Sequence, residues 1–60
     1  MTKEEVKRLR TDAGLTQTQL AERMGLGVGG QVTVSRWESG ALNISEPHAR
    51  LLAILCSERN

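Results

Sequence analysis

Apolar residues along this chain recur at spacings of three and four, interrupted by glycines, and the pattern divides it into four helical stretches. The first opens at Thr2-Lys3-Glu4-Glu5, a capping box in which the Thr2 hydroxyl accepts from the third helical N–H and Glu5 reaches back to the N–H of Thr2. Val6, Leu9, Arg10 and Ala13 then share one face, apolar except for Arg10, with Lys3, Lys7 and Arg8 largely elsewhere. Gly14 ends the run. Thr16 and Gln19 repeat the box, while Leu15 and Leu20 stand where a hydrophobic staple needs them, so a second helix is predicted to start at Gln17. Leu20, Ala21 and Met24 form its buried stripe; the small Ala21 allows another helix to approach closely, and Gly25 supplies a left-handed stop.

Gly25-Leu26-Gly27-Val28-Gly29-Gly30 comes next and matches the string G-x-G-x-x-G. That fingerprint binds a pyrophosphate only after a strand and inside a βαβ unit, whereas here a helix precedes it and half the chain is already used. The segment therefore reads as a turn, with Leu26 and Val28 expected to tuck back onto the core. Gln31 to Glu38 is locally ambiguous, because Val32, Thr33 and Val34 are β-branched and suit a short strand. No second β-rich run exists to pair with it, and an isolated buried strand leaves its backbone groups unsatisfied. Helix is the expectation, with Val34 and Trp37 on the inward face, Gln31, Val32, Ser35 and Arg36 away from it, and Gly40 closing the segment. Ser45 should cap a last helix, with Glu46 and Pro47 in its first turn and an end near Glu58. Leu51, Leu52, Ile54 and Leu55 cover more than one narrow stripe, so this helix either sits deep in the core or offers a face to another subunit. The sum is an all-α, four-helix single domain over residues 1–60.

Composition limits what such a domain can hold. A chain of 60 residues buries only about 60% of the surface its unfolded form exposes. With no Phe, no Tyr and a single Trp, the core must come from Leu, Ile, Val, Ala, Met and Trp37, and a dimer partner would add stability. The lone Cys56 cannot form an internal disulfide and fits a reducing, cytoplasmic setting as a small buried hydrophobe. No Cys and His pair has ligand spacing, so neither metal nor cofactor is expected, and His48 reads as a surface or cap residue. No nucleophile stands with a base, so an enzyme is not expected either. The start Met1-Thr2-Lys3-Glu4-Glu5 lacks the apolar run of a signal peptide or membrane span, which predicts a cytoplasmic protein without a membrane role. Eight basic and seven acidic side chains give a net charge of +1, well short of a balance that by itself announces nucleic acid. A near-neutral chain binds DNA only if its positive groups collect on one face.

The block Leu15 to Gly40, with Leu15-Thr16-Gln17, Leu20-Ala21, Gly25 and Ser35-Arg36-Trp37-Glu38-Ser39-Gly40 in order, resembles the Cro- and repressor-type helix-turn-helix family, also called the XRE family. Leu9-Arg10 before Gly14-Leu15 is similar to that family's first helix, so the resemblance covers nearly the whole chain. It implies a compact lambda-repressor-like fold with the helix-turn-helix motif over about residues 16–39. Two features depart from the usual pattern. The stretch from Gly25 to Trp37 is about three residues longer than the commonest form, with Gly29 or Gly30 where a small polar cap usually opens the recognition helix. The sequence also stops after the fourth helix, where many members carry a fifth that helps to dimerise, which leaves helix four as the expected interface.

In helix-turn-helix geometry the second helix of the motif enters the major groove with its N-terminal residues on base edges, while the first crosses the backbone. Gln31 then offers the paired donor and acceptor that suit adenine, and Arg36 reaches guanine or a phosphate. Val32 and Thr33 suit thymine methyls, and Ser35 serves a base edge or a phosphate. Gln17 resembles the family's phosphate-contacting glutamine at a helix start, with Thr16 and Thr18 as adjacent candidates and Ser39 as a second clamp. Arg10 and Glu38 match a buried pair that ties the first helix to the recognition helix in phage repressors; the alternative is two solvated charges. Trp37 reads as core rather than as a base-stacking aromatic. The implied function is a sequence-specific transcriptional regulator, a phage or prokaryotic repressor that binds double-stranded DNA at a near-palindromic operator as a homodimer. The rival is an antitoxin-like protein-interaction module, supported by the near-zero charge and the apolar last helix.

Overall fold

Four helices in chain order make up the computed structural model, which describes residues 1–57: α1 (Lys3–Asp12), α2 (Gln17–Arg23), α3 (Gly30–Ser39) and α4 (Glu46–Ser57). Both predicted capping boxes form. The Thr2 hydroxyl accepts from the Glu5 N–H and the Glu5 carboxylate accepts from the Thr2 N–H, at 3.1 and 2.8 Å. Those bonds hold the Glu5 carboxyl below its ordinary range because they favour the charged form. Thr16 and Gln19 repeat the exchange with an uncharged partner.

Both helices also stop as glycine-terminated helices should. Gly14 and Gly25 adopt φ of 73° and 70°. At the end of α1, Leu15 donates to the Arg10 carbonyl and Gly14 to that of Thr11. At the end of α2, Leu26 donates to Ala21 and Gly25 to Glu22. These are the paired bonds of a Schellman motif, which satisfy carbonyls that the helix leaves open.

The ambiguous segment is helical, and the physical reason lies in its neighbours. Val34 is fully buried and Trp37 is 3% exposed, packed with Val6, Leu20, Ala21, Met24 and Leu52 in one core. A strand would send only alternate residues inward, whereas a spacing of three puts Val34 and Trp37 on one helical face. α2 and α3 lie closest together because both are small at the crossing: a Cβ on Gly30 would stand 2.7 Å from that of Leu26 and 2.8 Å from that of Ala21.

Three expectations need correction. Leu26 packs on the core, but Val28 is fully exposed, since left-handed glycines on either side, Gly27 and Gly29, turn the chain outward there. The Ser45 carbonyl accepts from Ala49 as a helix start requires, yet its hydroxyl lies 2.8 Å from His48 Nδ1. His48 is thus engaged by the fold: it is half-buried, and its ring sits 5.5 Å from that of Trp37. Cys56 is half-buried against the core rather than enclosed by it, and desolvation pushes its thiol pKa up. The expected end of the last helix at Glu58 lies outside the described residues.

Candidate nucleic-acid interface

A line of polar side chains runs from α1 to the start of α3. Arg10, at the C-terminal end of α1, donates through Nε and one terminal nitrogen to the two carboxylate oxygens of Glu38, at 2.5 and 3.1 Å. Its other terminal nitrogen donates to the Leu15 carbonyl at 2.8 Å. The guanidinium therefore ties α1, the turn before α2 and the C-terminal half of α3 in one fork, a geometry that arginine offers and lysine does not. The two side chains are 14% and 7% exposed, so the pair is the largely buried one rather than two solvated charges.

The line continues through Gln17. Its amide nitrogen donates to Glu38 Oε1 at 3.2 Å, and its amide oxygen accepts from Gln31 Nε2 at 2.6 Å. Gln31 and Glu38 are seven residues apart and so share one edge of α3, which α2 faces. The outcome is a helix start whose first polar side chain is held from behind. Sequence alone identified Gln17 and Gln31 separately; their contact depends on the angle at which α2 crosses α3, which no local signal encodes.

The other candidates fall into two groups on this surface. Val32 is 47% exposed, and with Arg36 and Ser39 it lies on the side of α3 away from Val34 and Trp37. Thr33 and Ser35 are half-buried flanks, and the Thr33 hydroxyl turns back to the Gly29 carbonyl at 3.4 Å. Among the described residues Arg36 makes no ion pair. At α2, Thr18 is exposed, while the Thr16 hydroxyl oxygen already accepts from Gln19. The Ser39 hydroxyl donates to the Arg36 carbonyl and accepts from the Ala41 N–H, so it clamps the end of α3 before it can clamp anything else.

α3 begins without a side-chain cap. Gly29 occupies the cap position at φ 83°, which settles Gly30 as the first helical residue and Gln31 as the second. At the other end Gly40 adopts φ 86°, and the Lys3 side chain lies across it, close enough that a Cβ there would stand 3.1 Å from Lys3 Cδ. That contact brings a positive charge to the C-terminus of α3, where it complements the helix dipole. The sequence pattern had placed Lys3 only off the apolar face of α1.

Among the described residues no group of three or more His, Cys, Asp or Glu side chains could hold a metal, and no helix is long and apolar enough to cross a membrane. No curated protein and no solved structure matches the chain. A family model described as Helix-turn-helix does match, over residues 6–57, from the middle of α1 to the end of α4. That span takes in the rest of α1, the capped α2, the glycine turn, the Arg10 to Gln31 line and the whole core. The chain belongs to this helix-turn-helix family of Cro- and repressor-type (XRE) DNA-binding regulators.

Proposed function

We propose that residues 1–60 form one reading unit of a transcriptional repressor that binds a near-palindromic operator as a homodimer, in the cytoplasm. The motif over about residues 16–39 supplies the contacts, with α3 in the major groove. The observation that carries this is the bond from Gln31 Nε2 to Gln17 Oε1. A side-chain amide has two N–H donors and one oxygen. With one donor given to Gln17, Gln31 keeps a single N–H and its oxygen, the pair that adenine N7 and N6–H require.

The remaining roles follow from position. Arg36, exposed and outside any ion pair among the described residues, reads guanine or neutralises a phosphate. Val32 and the methyl of Thr33 meet thymine methyls, and Ser35 takes a base edge or a phosphate. Gln17, Thr16 and Thr18 at the start of α2, with Ser39 at the end of α3, hold phosphates and set register without reading sequence. A second copy docks through α4, where Ile54 is 56% exposed beside the core-facing Leu51 and Leu55. The two α3 helices then lie about 34 Å apart.

A titration over a library of operators tests the proposal. Selective binding to a two-fold-related site is expected; equal affinity for every sequence at each salt concentration would overturn it. Gln31→Ala should lose about 1–3 kcal/mol at one base position, whereas Gln17→Ala, which removes a phosphate contact and also frees Gln31, should weaken all sequences and relax the preference at that same position.

A further inference from the structure

Val28 is an apolar side chain for which the fold has no use. It is fully exposed and stands two residues ahead of α3, on the turn that makes this chain longer than the usual pattern. The turn is nevertheless ordered by its backbone. Gly27 and Gly29 hold φ of 73° and 83°, and the Gly30 N–H donates to the Gly27 carbonyl at 3.0 Å. A Cβ at either flanking glycine would meet nothing within 4 Å, so these glycines serve the left-handed backbone and not a close approach. Gly30 is the opposite case, pressed against Ala21 and Leu26, and it anchors the turn to the core. The chain thus sends Leu26 inward and Val28 outward from one fixed point.

The direction outward matters. The N-terminal end of the second helix of the motif is the end that meets base edges, and the exposed Val28 precedes that end by two residues and Gln31 by three. The major groove contains one apolar group, the C5-methyl of thymine. A β-branched side chain has little rotamer freedom to lose on contact.

We propose that Val28 is a further specificity-determining residue, which packs on the methyl of a thymine next to the base pair bonded by Gln31. This rests on the operator-binding function proposed above. The experiment compares the wild-type chain with Val28→Ser on the operator that the wild type selects, and on copies in which each thymine in turn is replaced by deoxyuridine, which lacks only the methyl. One replacement should weaken wild-type binding about fourfold, the effect of one buried methyl-sized group, and leave Val28→Ser unchanged. All other replacements should affect both proteins equally. Melting temperatures should coincide, because Val28 packs on no core residue.

Selective wild-type binding in which no thymine methyl distinguishes the two proteins would overturn the role of Val28 alone. So would a uniform loss across operators, which marks a sugar-phosphate contact, a change in self-association, which marks a contact between copies, or a lowered melting temperature, which marks a place in the fold. Wild-type binding without any sequence preference would instead overturn the operator function itself, and the role of Val28 with it.

Discussion

The turn after α1 and the turn after α2 begin alike and end differently. Each opens with a left-handed glycine followed by a leucine, Gly14-Leu15 and Gly25-Leu26, bonded back into the helix in the same pattern. The first then passes directly into Thr16, whose side chain starts α2. The second runs on through Gly27, Val28 and Gly29 and starts α3 with no side-chain cap. The first turn is also braced from outside by Arg10 on the Leu15 carbonyl, while the second is held by the packing of Gly30 on Ala21 and Leu26. A helix stop is therefore a local matter in both turns, but the next start is local in one and tertiary in the other.

The largest test of the contrast removes the brace. Glu38→Ala leaves the Arg10 charge largely buried without its partner and releases Gln17, and it should destabilise the fold by about 3 kcal/mol or more. Glu22→Ala, at an exposed position, should stay within about 0.5 kcal/mol. Equal melting temperatures for the two variants would show that the Arg10–Glu38 pair does not hold the first turn.

Gly30→Ala attacks the second turn. The added methyl stands under 3 Å from two carbon atoms of the adjacent helix and loop, so α2 and α3 must separate, which should cost about 1–3 kcal/mol as overpacking. Chemical denaturation measures it directly. A neutral result would mean that the turn can give, and would remove the fixed point from which Val28 projects.

The smallest effect belongs to the local cap. Thr16→Ala should destabilise by about 1 kcal/mol and Thr16→Gly by only a few tenths, since glycine tolerates the cap backbone without supplying the side-chain acceptor. If Thr16→Ala matched the loss from Glu38→Ala, the start of α2 would be the main support of the first turn, and the brace from Arg10 a lesser one.

Legibility in the sequence follows the same division. Thr2, Glu5, Thr16 and Gln19 were readable as caps because each bond spans three residues, and Gly14, Gly25 and Gly40 as stops because only the left-handed backbone ends these helices cleanly. Val34 and Trp37 were readable as core from their spacing. Val28 was misplaced because hydrophobicity alone does not say which way a chain turns between two left-handed glycines. The contact of His48 with Trp37, and the lie of Lys3 across Gly40, join elements distant in sequence and left no mark on local pattern.

The caps of α1 and α2, the glycine stops of α1, α2 and α3, and the inward faces of the helices are thus set by the sequence itself, since these depend on hydrogen bonds and periodicities confined to a few residues. The tertiary structure decided that Gly30 begins α3, that Arg10, Glu38, Gln17 and Gln31 form one line, and that Val28 faces outward. The outward turn of Val28 depends on the left-handed Gly27 and Gly29 around it, the Arg10–Glu38 pair on how α1 meets α3, and the place of Gly30 and the Gln17–Gln31 link on how closely α2 approaches α3 and at what angle. That approach is governed by the two small residues, Ala21 and Gly30, meeting across a core that neither helix completes alone.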